Sequence, residues 1–449
     1  MDRALRQSRT EVLRKAAVAV LRKNDLGGWT KPAPRLYPHQ WSWDSALIAV
    51  GLVQIDPDRA LRELETLFSA QWSDGRVPHI VFNPSAKDYF PGADWWASST
   101  TSTAAPREPA TSGLIQPPVH AIALARIFDI ARASGLQALE SRIRDLYPRF
   151  LAWHRYLVEC RDPAGNGLLT IYHPWESGTD NSPRWDECLA RLEVGDMPAY
   201  QRHDLKHVAD PAERPTHAEY DRYLWLVHLL KQAKYSDSVI QRDFPFQIRD
   251  VLMSAIFAAA NLCLAHTAEA LRRPRTEIDE LRAWADRFGR GVERSWDEQL
   301  QLTLDWDVGI SQPVRVQTCA GLSALLVPDL SPEVREGVMA SLLGPRFAGA
   351  AGLAYAVVPS TAPGSPGFKA RSYWRGPTWP VANWLLWWGM LRHGLEEQAE
   401  AIRVGYLELL ERPEAEFAEY FDPFTAEPLG SREQSWTASL ALDWLAHTR

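Results

Sequence analysis

Apolar positions along the 449-residue chain mostly recur three and four residues apart, the spacing of one helical face. Asp56-Pro57 reads as an N-cap followed by proline at the first helical position. Ala60, Leu61, Leu64, Leu67 and Phe68 then form a stripe. Pro117-Pro118 open a helix that runs to about Ala133 and is ended by Gly135. Further helical patterns cover 139–160, 217–234, 247–272, 276–296, 315–327, 332–343, 378–393, 395–411 and 433–447. With 3–22 and 43–54, about a dozen helices are expected. In the N-terminal one, Leu5, Val12, Leu13, Ala16, Val20 and Leu21 fall on recurring helical spacings. Strand signals are few, and GLLTIYH (167–173) is the best.

Long irregular stretches separate the helices: 27–42, 73–116, 161–216, 297–314, 344–377 and 412–432. Loops of this length inside a compact domain tend to be functional. No low-complexity linker divides the chain, so residues 1–449 are expected to form one all-α domain. Helical hairpins arranged in a ring, with loops forming a pocket at one end, fit this alternation. Periodicity alone does not establish the ring.

Composition narrows the function. The hydrophobic fraction of 46% and charged fraction of 23% are those of a globular protein, and the net charge of −7 excludes a phosphate-backbone binder. No run of about 18 apolar residues is read, so no membrane span is expected. The N-terminus lacks the apolar core and cleavage site of a secretory signal. Cys160, Cys188, Cys263 and Cys319 form no CxxC pair and suit reduced core filler in a cytoplasmic protein. The unusual residue is tryptophan, 20 against 5 methionines. Several indoles stand beside acids in Gly/Pro-rich segments, which suits stacking on a polar ring.

Four segments concentrate this chemistry: YPHQWSWD (37–44), HPWESGTDNSPRWD (173–186), YWRGPTWPVANWLLWW (373–388) and EFAEYFDPFTAEPLGSREQSW (416–436). Two of them supply loop acids far apart in sequence. Glycosidic hydrolysis needs one protonated carboxyl to donate to the leaving oxygen and one ionised carboxyl to activate water or attack. Burial beside apolar rings raises the first, and a polar hydrogen-bonded site keeps the second charged. An acid among Trp175, Pro183 and Trp185 suits the first role, and one beside Tyr420 and near Gln434 the second. On residue type alone, Asp180 equally suits a turn cap, Glu419 a solvated helix end, Asp44 an N-cap and Arg214 a surface charge. The WLLWW run (384–388) reads as core. No metal-ligand spacing, GxGxxG, GxxxxGK[ST] or GxSxG is present, so no metal or other cofactor is expected; LDWD (304–307) is only a weak metal clip.

Taken in order, YPHQWSWDSALIAVGL, SAQWSDGRVPHIVF, YFPG, TSGLIQPPVHAIA, HPWESGTDNSPRWD, EYDRYLWL, YWRGPTWPV and FAEYFDPFTAEPLGSREQSWTA resemble glycoside hydrolase family 63. Within it the likeness is to bacterial glucosylglycerate hydrolases first and mannosylglycerate hydrolases next. The resemblance runs from about residue 15 to the C-terminus. It implies an (α/α)6 barrel with a cap built from insertions at roughly 73–116 and 161–216. It also implies inversion, with Asp180 as general acid and Glu419 as general base. Inversion requires about 6.5–9.5 Å between the two carboxyls, to admit a water.

Carried over residue by residue, Tyr37, Trp41, Trp43 and Asp44 occupy a first mobile loop, and Asp44 accepts bonds from sugar hydroxyls. Tyr373, Trp374, Trp379 and Gln434 surround the same sugar, and Trp175 flanks the scissile bond. The aglycone would be glycerate, a small anion. Arg214 would meet its carboxylate as a planar fork. His79, Tyr89, Gln116 and Tyr220 resemble the rest of that subsite. Two departures stand out: Thr179 replaces a usual methionine, and Ala426 replaces a usual glycine, which argues against a positive φ there. Other readings stay open on sequence: another α-glucosidase on a neutral disaccharide, a non-catalytic sugar-binding toroid, or a polysaccharide lyase. A homo-oligomer is neither indicated nor excluded.

Overall fold

The computed structural model describes residues 3–447, apart from Lys87, His207 and Ala209 and the side chains of residues 3–8. Leu5's side chain therefore lies outside the described residues. Among the described residues are sixteen α-helices, joined by short 3-10 turns and short strands. Six elements pack in a closed cycle, each touching the next and the last touching the first: Ser42–Leu52, His120–Ala133, Val251–Ala270, the 3-10 helix Cys319–Leu326, Pro380–Arg392 and Ser435–Ala446. Each is backed by one further helix. These are, in the same order, Pro57–Ser69, Gln137–Tyr156, Arg275–Arg294, Pro332–Leu343, Glu396–Leu410 and Arg3–Asn24.

The sequence explains the two layers. Every residue of Ser42–Leu52 and of Cys319–Leu326 is buried, as elements enclosed on all sides require. The backing helices are one-sided: Pro57–Ser69 buries the predicted stripe completely, and its N-cap Asp56 accepts the Arg59 N–H. In Arg3–Asn24 the expected Leu13, Val20 and Leu21 are buried, with Ala17 in place of Ala16, whereas Val12 is 65% exposed and Ala16 lies outside.

Other expectations need correction. Val251–Ala270 is long and apolar enough to cross a membrane by length and composition, but it is buried as one member of the helix cycle, backed by Arg275–Arg294. The segment 315–327 contains the 3-10 helix Cys319–Leu326, and Ile248–Asp250 is a strand that leads into the helix capped by Asp250. Helix Asp237–Asp243 was not foreseen. A four-stranded antiparallel sheet also lies beside the helices, in the order Leu169–Ile171, Ile248–Asp250, Asp305–Asp307, Gln312–Val314. Its first strand is the predicted one; its third comes from LDWD. Ala426 does adopt a positive φ, +57°, despite its methyl group.

Two two-residue pairings matter for the site. Gln40–Trp41 pairs with Ile80–Val81, which sets the entry to helix Ser42–Leu52. Tyr420–Phe421 pairs with Pro428–Leu429, which places Glu419 at the mouth of a hairpin.

Candidate active site

The segment 173–186 is irregular but held at almost every residue. His173 caps Pro174–Ser177 by accepting the Trp175 N–H, and Ser182 caps Pro183–Trp185. Between them Gly178 turns the chain at φ +71°. Glu176 is fully buried and gathers four donors: Arg161 Nη1 (2.8 Å) and Nη2 (2.9 Å), and the backbone N–H of Tyr172 (2.8 Å) and Ile115 (3.3 Å). Asp186 takes both arms of the Arg375 fork at 2.8 and 2.5 Å. Asn181 Oδ1 accepts the Trp374 N–H at 2.9 Å. The acid segment is therefore bolted to the YWRG segment, and ion pairs do more of this than turn hydrogen bonds.

Behind the loop, Trp185 is fully buried and donates to the Thr179 carbonyl at 3.0 Å. Thr179 Oγ1 accepts from Arg184 at 2.8 Å, and Arg184 in turn meets Asp305 at 2.8 Å. Thr179 is thus a polar joint, and LDWD is an ion-pair partner. Among the described residues no group of acids, histidines and cysteines could hold a metal ion.

Asp180 hangs at the centre, with the Tyr223 hydroxyl donating to its backbone carbonyl at 3.1 Å. Burial, against the opposing pull of Arg214, and the nearby Glu419 charge push its carboxyl up to about 7. Glu419 is treated differently. Its Oε1 accepts the Tyr37 hydroxyl at 2.7 Å and its Oε2 the Ser431 N–H at 3.0 Å. Both carboxyl oxygens therefore serve as hydrogen-bond acceptors.

Asp44 is the third acid. Trp41, not Asp44, takes the N-cap position, so the expected N-cap role is corrected: Asp44 sits within the first turn of Ser42–Leu52. Burial, then Glu419 and then Asp180, hold its carboxyl well above the usual carboxylate range, with an opposing backbone hydrogen bond between those two charges in weight.

One pocket, about 970 Å³ counting the space open to solvent, joins these acids. Asp44, Asp180 and Glu419 line it with Tyr37, Trp41 and Trp43. Tyr373, Trp374 and Gln434 form a further part of the wall, and Trp175, His79 and Gln116 another. Tyr89, Tyr220 and Arg214 complete the set. Trp379 alone among the predicted residues stands back. It is fully buried and stacks on Trp374, with centroids 3.9 Å apart and planes 6° apart, so it fixes the plane of the ring that does face the pocket. Burial, reinforced by His173, keeps the His79 imidazole neutral; its Nδ1 meets Ser112 Oγ at 2.7 Å.

Arg214 is not a surface charge. Its side chain is 9% exposed. Its guanidinium lies 4.2 Å over the Tyr373 ring, donates to the Tyr37 hydroxyl at 3.3 Å, and meets Asp204 at 3.4 Å. Asp88, His203, Asp204 and Trp436 also line the pocket and were not singled out from sequence. Trp436 lay in a quoted motif, but the others sit in stretches without pattern.

Gly178 provides a local test. A methyl there would come within 2.7 Å of the Trp43 ring at a φ that side chains rarely adopt. Gly178→Ala is expected to cost about 1–3 kcal/mol of stability, read as a lower Tm, and to lower kcat by displacing Asp180. Unchanged Tm and kcat would show that the turn is not constrained in this way.

A family model for the mannosylglycerate hydrolase MGH1-like glycoside hydrolase domain matches residues 37–437. The chain is 46% identical to the glucosylglycerate hydrolase of Mycolicibacterium hassiacum over 437 residues, 96% of each chain. A solved GH63 mannosylglycerate hydrolase from Thermus thermophilus, in complex with Tris and D-glycerate, superposes with TM-score 0.87 at 40% identity. The match covers 96% of this chain and 99% of that one. The same enzyme in complex with glucose gives TM-score 0.85 at 40% identity and the same coverage.

Proposed function

The chain belongs to the GH63 mannosylglycerate/glucosylglycerate hydrolase family and is a glycoside hydrolase; from that premise we propose that it hydrolyses 2-O-α-D-glucosyl-glycerate, and also the mannosyl analogue, with inversion. The two sugars differ only at C2. The relatives' names, and the D-glycerate and glucose bound in the Thermus enzyme, support the substrate class. The cycle of six inner elements, each backed by an outer helix, supports an (α/α)6 barrel, capped from 73–116 and 161–216.

The unequal treatment of two carboxyls carries the mechanism. Glu419 is held as an acceptor and removes a proton from water. That water forms its bond to C1 on the face opposite the aglycone. The C1–O bond breaks, and Asp180, neutral below about pH 7, gives its proton to the departing glycerate oxygen. Asp44, which lines the same pocket, accepts hydrogen bonds from sugar hydroxyls. Arg214 binds the glycerate carboxylate.

Inversion of an α-glucoside releases β-glucose first. Following the anomeric signals by NMR, with glucosylglycerate, mannosylglycerate and trehalose compared side by side, tests stereochemistry and substrate together. Initial α-glucose, or trehalose turned over best, would end this reading. The pH profile gives a second test. Because the active form of Asp180 is the protonated one, kcat/KM, which follows the free enzyme, is expected to fall as pH rises through about 7. A rate still constant at pH 9 would remove Asp180 from the acid's role.

A further inference from the structure

Glu63 faces no pocket, yet it controls one. It lies on helix Pro57–Ser69 and is fully buried. Its Oε1 accepts the Thr30 N–H at 3.2 Å, Ser45 Oγ at 2.8 Å and Gln40 Nε2 at 3.4 Å. Its Oε2 accepts Thr30 Oγ1 at 2.9 Å and Arg59 Nη2 at 3.0 Å. Gln40 Nε2 also donates to the Glu63 carbonyl at 3.1 Å. Thr30 and Gln40 are the two ends of one irregular stretch, and a single carboxylate fastens both. Ser45 fixes the same carboxylate to the helix that carries Trp43 and Asp44.

The tip of that stretch carries Tyr37, whose hydroxyl donates to Glu419 at 2.7 Å and accepts from Arg214 at 3.3 Å. The stretch has a second hold, since the Ser435 N–H donates to the Pro32 carbonyl at 2.7 Å and its Oγ to that of Lys31 at 2.6 Å. Those bonds lie on the Thr30 side only. Between Gln40 and the tip, Asn83 adds a hold, its backbone N–H donating to His39 Nδ1 at 3.1 Å and its side-chain amide to the Pro38 carbonyl at 3.2 Å, while the neck fixes the two ends from which the tip extends. Five donors converge on Glu63 and none is donated by it, so an amide in its place would set an N–H against other N–H groups.

We infer that Glu63 is a positioning residue of the reaction: by closing the neck of the 30–40 loop it holds the Tyr37 hydroxyl against Glu419. This rests on the reading of Glu419 as the base. A sub-ångström to 1 Å loss of register at a catalytic contact can cost about a hundredfold in rate.

The test is a double-mutant cycle between Glu63→Gln and Tyr37→Phe, with kcat and KM measured on the glycerate glycoside that is turned over best. Each single variant is expected to lower kcat about tenfold to a hundredfold, with KM changed less. The double variant is expected to be no slower than the slower single, because both remove one contact. Thr30→Val, which removes one hydroxyl from the neck, is a milder probe should Glu63→Gln fold poorly, and is expected to fall in the same direction. Multiplicative losses, full activity in Tyr37→Phe, or a Glu63→Gln enzyme with lowered Tm but unchanged kcat would each overturn the inference. Glu419→Gln, assayed alongside, separates the two ideas. If it stays active the base assignment falls, whereas the cycle still reports whether Glu63 and Tyr37 act as one unit.

Discussion

Asp180→Asn is expected to lower kcat on glycerate glycosides by roughly 10²–10⁴-fold, the usual contribution of a general acid. The loss should depend on the leaving group. Glycerate leaves as an alkoxide and needs the proton, whereas the fluoride of α-glucosyl fluoride does not, so the variant should hydrolyse the fluoride at a rate much nearer the parent's. Glu419→Gln should behave differently, being slow on both substrates, because each needs an activated water. Added azide should restore its turnover on the fluoride, giving a β-glucosyl azide. Near-normal hydrolysis of the glycerate glycoside by either variant removes that residue from its role.

The Asp180 prediction also has a signature in stability. The carboxyl rises from an ordinary value of 3.8 to about 7 in the fold, chiefly through burial. Its protonated form is therefore the one the fold prefers. The stability it contributes is complete below about pH 4 and is lost as pH rises through about 7. Asparagine is neutral throughout. The Tm of Asp180→Asn should match the parent near pH 4, rise above it between pH 4 and 7, and keep a constant lead at higher pH. A constant difference across this whole range would mean that the carboxyl ionises in the fold as it does in solution.

Much of this site was legible because its chemistry is local. HPWESGTDNSPRWD carries its own turn signals, two prolines after capping residues and a glycine at positive φ. The stripe 60–68 likewise follows from helix period and one N-cap. What sequence missed depends on distant partners. The acids of LDWD sit in a strand, where Asp305 answers Arg184 and Asp307 answers Arg191 across more than a hundred residues. A local rule gave Asp44 the N-cap, but strand pairing at Trp41 starts the helix earlier and turns the acid toward the pocket. Cys319–Leu326 is apolar on every side, so no periodicity could tell a 3-10 helix from an α-helix. Trp374 and Trp379 look alike in sequence; stacking decides which one meets a ligand.

Arg214→Ala is expected to weaken kcat/KM for glucosylglycerate by about a hundredfold or more, while a neutral α-glucoside stays within twofold at pH 6. Truncating one partner of a buried charged pair costs about 2–5 kcal/mol, and tenfold corresponds to about 1.4 kcal/mol. The protein itself should tolerate the change. Asp204, the residue left behind, keeps Arg202 at 2.7 and 3.0 Å. Burial opposes its charge, but the Arg202 hydrogen bonds and the charges of Arg214 and Arg202 hold its carboxyl below the ordinary value. Arg214→Lys should recover only part of the loss, because an ammonium lacks the planar fork and the stacking on Tyr373. A glycerate glycoside turned over within twofold of the parent would sink the glycerate assignment.

The same variant should move the acid. Arg214 is the charge that pulls Asp180 down, against burial and Glu419. Without it the carboxyl rises beyond about 7, so on a neutral glucoside the alkaline limb of kcat/KM should shift to higher pH. A bound glycerate carboxylate cancels the Arg214 charge in much the same way. Substrate binding would therefore favour the protonated form of Asp180 just where the leaving oxygen needs it. An alkaline limb that stays in place in Arg214→Ala would separate the two residues, and with them the link between recognising an anion and delivering a proton.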